Sequence, residues 1–209
     1  MKVVLWRHGQ TDWNVINRYQ GHSDIPLNDV GLYQASHAAK ILAGMNPTKI
    51  IASDLIRTQQ TAAALSEITG LPIHSDARLR ETNGGQWEGR TGAENREADG
   101  EKFVNWIKGG DEPAGTTGER RSEVAARATA AIRDSLTGDE GSLIVVTHGG
   151  TARAILGSML GLNLSDWAVL GGLSNASWSV LEELHTGWAL VEHNAGTIPE
   201  PLFGNETTL

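Results

Sequence analysis

The sequence predicts an α/β protein folded as a three-layer sandwich, a mainly parallel central sheet with helices on both faces. Two apolar runs, Val3 to Trp6 and Leu143 to Val146, are continuous rather than alternating, as expected of strands buried on both sides. Segments of helical periodicity separate the apolar runs, and strand alternating with helix implies βαβ units. Both runs stop at a His-Gly pair, which marks two strand ends.

Taken in order, the first strand ends at Arg7-His8-Gly9. After the candidate caps Asn28 and Asp29, Leu32, Ala35, Ala39 and Leu42 recur at helical spacing. A strand over Lys49 to Ala52 ends at Ser53-Asp54, and either residue is expected to cap a helix carrying Leu55, Thr58, Ala62 and Leu65. Gly70-Leu71-Pro72 turns the chain into a short strand around Ile73. Two glycine-rich stretches, Gly84 to Gly92 and Gly109 to Gly118, read as loops forming a substrate-facing rim. Val124, Ala128, Ala131 and Ser135 give a further helix before the strand at Leu143. Gly171-Gly172 with Asn175 reads as a turn. Beyond it, Ser177 to Val180 and Trp188 to Val191, joined near Thr186-Gly187, form a β-hairpin closing one side of the sheet. Residues 1–209 make one domain, with an irregular tail from about Gly196.

The formal charge is 17 − 25 = −8, so nucleic acid and anionic membranes are not expected partners. An anionic substrate then needs a local cluster of cations. With no cysteine, disulfides, thiol nucleophiles and cysteine-ligated metals are excluded. The apolar run at the N-terminus is too short for a signal-peptide core or a membrane span, and a cytoplasmic protein is expected.

Ligands of open parallel sheets bind beyond the carboxyl ends of the strands. There the sequence places Arg7-His8-Gly9, Ser53-Asp54 and Thr147-His148-Gly149-Gly150. Each His-Gly pair alone equally describes a strand terminator whose glycine supplies a positive-φ turn. Arg57 falls in the first turn of its helix, where the macrodipole disfavours a cation by about 0.3–1 kcal/mol unless an anion binds. It could instead pair with Asp54 or Glu81. His22, His37, His74, His185 and His193 show no ligand spacing, and Glu119-Arg120-Arg121 reads as a solvated helix start.

Together the motifs are more specific. Arg7-His8-Gly9-Gln10-Thr11 with Asn14, Arg18-Tyr19-Gln20-Gly21, Ser53-Asp54-Leu55-Ile56-Arg57-Thr58, Leu79-Arg80-Glu81 and Val146-Thr147-His148-Gly149-Gly150 resemble, in order, the motifs of the histidine phosphatase superfamily, the phosphoglycerate mutase-like proteins. The resemblance runs from residue 3 to about 160. It implies a phosphomonoester hydrolase with His8 as nucleophile, Arg7, Arg57 and His148 around the phosphate, and Glu81 as proton donor. Asn14, Gln20 and Gly149 are implied as further phosphate or substrate ligands. No metal or cofactor is implied. The chemistry is coherent: arginine forks suit the charge spread over a phosphoryl group in transfer. His8 must attack neutral, with one ring nitrogen held as a donor. Glu81 retains the alternative of a structural partner for Arg57 or Arg80.

The expected substrate is a small phosphate ester. The segment between Glu81 and His148 is too short for the helical insertion of the mutases, which favours hydrolysis. The stretch Leu170 to Trp178, with Trp188 and His193-Asn194-Ala195, is similar to an actinobacterial subgroup acting on glucosyl-3-phosphoglycerate. Phosphoglycerate mutase, a broad-specificity phosphatase and a catalytically idle phosphate-binding module are the alternatives. A homodimer is allowed, though no residue specifies it.

Overall fold

In a strand, successive side chains face opposite ways, and here both sides are covered. The computed structural model describes residues 1–136, 138 and 141–196. In it, β1 (Lys2–Arg7) sends Val4 and Trp6 into one apolar cluster and Val3 and Leu5 into another. It pairs in parallel with β4 (Ser142–Thr147) and antiparallel with β5 (Trp178–Leu184). On the far side of β4 lies β2 (Pro47–Ala52), followed by β3 (Ile73–Ser75), both parallel. The hairpin strand β6 (Gly187–Ala195) is antiparallel to β5, giving the order β3-β2-β4-β1-β5-β6.

Helices α2 (Asp29–Leu42) and α3 (Ile56–Thr69) pack on the face of Val4, Trp6, Ile50 and Ile144. The other face, with Val3, Leu5 and Val145, is covered by α5 (Arg121–Ser135) and α6 (Gly149–Met159). A short turn, α1 (Asp12–Val15), follows β1, and α4 (Gly92–Ile107) packs its own Phe103 and Trp106 against Trp87 and Ala114 in a separate small cluster. Among the described residues no helix is long and apolar enough to cross a membrane. The expected tail lies, from residue 197, outside the described residues.

Several local expectations are corrected. Leu32 is 45% exposed, because Gly31, Gln34, Ala35 and Ala38 set the buried stripe of α2. Neither Ser53 nor Asp54 caps α3. Its N-cap is Leu55, and the orphan N–H of Ile56 donates to Asp24 Oδ1 at 2.7 Å. Ser53 and Asp54 are instead bonded to His148 and Arg80. Helix α4 carries only Asn95, Phe103 and Trp106 buried and bends at Gly100 (φ 43°), so no continuous apolar stripe announced it. The 109–118 loop does not face the site. Gly115 and Gly118 pack too tightly against Gly84 and Asn83 to admit a side chain, and the loop braces the turn at residues 83–88 from behind.

The β1 to α1 turn needs glycine for space rather than for conformation. Neither Gly9 nor Gly149 has positive φ. A Cβ on Gly9 would lie 2.4 Å from the Gly31 carbonyl oxygen, and one on Gly31 would lie 2.1 Å from that of Gln10. This contact lets α2 press against the strand end. Gly31→Ala should therefore lower stability by about 1–3 kcal/mol through overpacking. Gly44→Ala, with nothing within 4 Å of the added carbon, is the control. Urea midpoints of the two variants check this, with an unchanged Gly31→Ala midpoint as the contrary result.

Candidate active site

The sheet ladder continues past the strands: His8 N–H donates to Thr147 O and Ser53 N–H to Val146 O, each at 3.0 Å. His8, Ser53 and His148 are thereby fixed side by side on one rim. Arg7, His8, Asn14, Gln20, Arg57 and Glu81 line one cavity of about 840 Å3. His148 and Gly149 do not reach its wall. His148 stands wholly buried behind His8, with ring centroids 5.2 Å apart, and Gly149 begins α6 beside the Arg7 guanidinium.

His8 Nδ1 donates to the Gly9 carbonyl at 2.7 Å, which fixes the tautomer and leaves the Nε2 lone pair free. Its backbone carbonyl is held by Ala176 N–H and Asn175 Nδ2. Burial holds the His8 pKa well below 6.5, helped by the charges of Arg57 and Arg7 and opposed by the Gly9 bond. His148 shifts the same way, through burial first and then Arg57 and His8. A neutral His148 suits its contacts: Nδ1 accepts from Arg57 Nε at 3.2 Å and Nε2 donates to Ser53 Oγ at 3.0 Å.

Neither expected ion pair of Arg57 forms. The side chain is fully buried, and its terminal nitrogens donate to Ser23 O (2.7 Å) and Gly21 O (2.8 Å). Burial lowers its pKa to about 10, countered by Glu81 and Asp24, so it stays cationic at neutral pH. Arg7 donates to Leu173 O, and its Nε is buried with no partner among the described residues. Neither arginine meets a carboxylate in an ion pair among the described residues. Asn14 Oδ1 accepts from Thr11 N–H, Thr11 Oγ1 and Asn175 Nδ2, which leaves its NH2 end for a ligand.

Glu81 is not the partner of Arg80, which forks onto Asp54 at 2.6 and 2.7 Å. Its carboxylate instead accepts from Thr82 N–H, Gly150 N–H, Thr151 N–H and Thr151 Oγ1 at 2.8–3.3 Å. Two of those donors are first-turn amides of α6 that would otherwise be orphans. Gly150 makes the approach possible, since a Cβ there would lie 2.6 Å from Glu81 Oε1. Behind it Arg127 donates to the carbonyls of Arg78, Arg80 and Glu81 and pairs with Glu119 at 2.7 Å. His22 Nε2 donates to the same Glu81 carbonyl at 2.9 Å. Of residues 119–121 only Arg120 is exposed as expected: Glu119 accepts from Asn83 N–H at 2.8 Å, and Arg121 stacks on Trp106 at 3.9 Å.

Sequence reasoning missed Asn175, His22, Arg127 and Thr151, whose partners are distant in the chain. Only the Gly149-Gly150 pair hinted at one of them. Among the described residues no three His, Asp or Glu side chains gather as a metal site. The arrangement brings together on one cavity a neutral imidazole with a free Nε2 lone pair, two guanidinium groups without ion pairs among the described residues, and a carboxyl group.

A model of the histidine phosphatase superfamily (branch 1) matches residues 3–196. A glucosyl-3-phosphoglycerate phosphatase of Mycolicibacterium vanbaalenii is 38% identical over 191 residues, covering 85% of this chain and 82% of that protein. A probable phosphoglycerate mutase of Yersinia pestis is 38% identical over 166 residues, 78% of this chain and 76% of that protein. The solved structure of a mycobacterial glucosyl-3-phosphoglycerate phosphatase with VO3 is similar at TM-score 0.88 and 37% identity, covering 93% and 99%.

The two buried imidazoles make stability depend on pH. Unfolded, each titrates near 6.5; folded, each titrates well below. Between those values the unfolded chain binds more protons, so stability is intact above about pH 6.5 and is lost as pH falls below it. Thermal melts from pH 7.5 to 5.5 should show a falling midpoint, and His148→Gln should flatten the slope. A flat wild-type profile would contradict buried neutral histidines.

Proposed function

This chain belongs to the histidine phosphatase superfamily and is a phosphomonoester hydrolase, and on that premise we propose that it hydrolyses glucosyl-3-phosphoglycerate through a phosphohistidine on His8. The single observation that carries the mechanism is the Nδ1–H bond of His8 to Gly9, which leaves Nε2 as a lone pair beside two unpaired guanidinium groups.

The Nε2 lone pair attacks phosphorus and the bond to the ester oxygen breaks. Arg7 and Arg57 hold the equatorial oxygens, where the charge of the transition state is spread. Asn14 and Gln20 add hydrogen bonds from the cavity wall. The negative charge of the bound phosphate favours a proton on Glu81, and that proton passes to the leaving alkoxide. The resulting carboxylate then takes a proton from water, which attacks phosphorus as the P–N bond breaks. Phosphate departs, His8 is neutral again and Glu81 is protonated again. His148 acts through Arg57, whose Nε it accepts, and Gly149 through the start of α6 beside Arg7.

The mutase reading has less support. The related mutase covers less of the chain. Exposed residues such as Ile16, Arg96 and Glu97 line the cavity, which admits water to the intermediate. A charged metabolite as substrate suits a cytoplasmic location, and a homodimer is the assembly to test by sedimentation.

Labelled substrate should leave an acid-labile, base-stable phosphoryl group on the wild type and none on His8→Ala; label persisting elsewhere would remove His8 from its role. Glu81→Gln should slow turnover by about 10²–10⁴-fold at similar phosphate affinity. An unchanged rate would exclude Glu81 as the acid.

A further inference from the structure

Residue 9 has to be glycine because α2 presses against it, and a glycine backbone is freer to rotate than any other. Yet the Gly9 carbonyl is the group that holds His8 Nδ1–H. A swing of this one peptide would release the imidazole to either tautomer, so the turn needs a restraint from outside itself.

That restraint comes from a segment distant in the chain. Asn175, in the turn before β5, places its Nδ2 at 3.2 Å from His8 O, from Gly9 O and from Asn14 Oδ1. Backbone carbonyls only accept, so the NH2 end of the amide faces them and its orientation is settled by its partners. An asparagine in a turn ordinarily bonds its own backbone two residues on. This one reaches back 166 and 167 positions, to two successive carbonyls at the nucleophile.

The turn is shaped to bring it there. Ala176 has φ 55°, a left-handed conformation unfavourable for a residue with a Cβ. In that conformation its N–H donates to His8 O at 3.1 Å. Asn194 of β6 pins the turn from behind, its Oδ1 accepting from Ser174 N–H at 2.7 Å, and the Leu173 carbonyl accepts from Arg7. Strain retained beside a reacting group points to a use for the conformation.

We infer that Asn175 is a positioning residue for the nucleophile: by tying the His8 and Gly9 carbonyls together it keeps His8 in the Nδ1–H tautomer, with Nε2 left to attack phosphorus. This rests on the phosphohistidine reading above. Asn14 depends on Asn175 less, since Thr11 N–H and Oγ1 also hold its Oδ1, and phosphate binding should therefore survive the loss of Asn175.

The test joins nitrogen NMR of the His8 ring in the resting enzyme, its signals assigned by their loss in His8→Ala, to kcat and KM for p-nitrophenyl phosphate. Wild type should show a protonated Nδ1 and a bare Nε2. In Asn175→Ala the two nitrogen signals should move toward each other as the tautomers mix, and kcat should fall about ten- to hundredfold at similar KM. Asn175→Leu, which keeps the side-chain shape and deletes both N–H groups, should behave alike and decides alone if Asn175→Ala does not fold. An unchanged tautomer in the variants would overturn the inference whatever happens to the rate. So would an unchanged kcat, a loss confined to KM, or a wild type with its proton on Nε2. A wild type that does not cleave p-nitrophenyl phosphate would instead defeat the hydrolase reading, and the tautomer comparison, which needs no turnover, would still test Asn175.

Discussion

Two guanidinium groups are held at the rim of the sheet by backbone carbonyls instead of by ion pairs with carboxylates, and the remainder of the site is arranged around those two cations. A buried cation is tolerable when its hydrogen bonds are satisfied or an anion is supplied. Arg57 has its bonds satisfied, by Gly21 O, Ser23 O and His148. Arg7 keeps a buried Nε unpaired. Burial first, and then these charges, hold His8 and His148 neutral. Burial and charge together thus leave the His8 lone pair free beside two cations that no carboxylate pairs, the arrangement the proposed reaction needs.

Glu81, which lines the cavity together with Arg7 and Arg57, is kept from pairing with them by geometry. Glu81 is drawn onto the first turn of α6, and the carbonyls behind it are gripped by Arg127 and His22. Asp54, the other nearby acid, is taken by Arg80. Packing sets these distances as much as polarity does. Gly9 against Gly31 draws α2 to the strand end, and Gly150 admits the Glu81 side chain.

Much of this was legible in the chain itself. Continuous apolar runs marked β1 and β4, since strands covered on both faces leave no polar alternation, and the His-Gly pairs marked the rim. The histidine and arginine positions followed from ordered motifs. What escaped detection depends on contacts between distant segments. Arg127, His22 and Asn175 act on backbone groups 46–167 residues away, which no local pattern encodes. Helix α4 escaped because its kink at Gly100 and its three buried residues break the apolar period. Arg121 looked solvated for a related reason: its charge lies over the face of Trp106, a partner 15 residues earlier in the chain.

The central claim is that the Gly9 carbonyl selects which nitrogen of His8 reacts. Phosphorus and nitrogen NMR of the trapped phosphoenzyme, with histidine labelled at both ring positions, tests it directly. Phosphorus coupled to Nε2 of His8 is the expected result. Coupling to Nδ1, or a phosphoryl group on any other residue, would contradict the account.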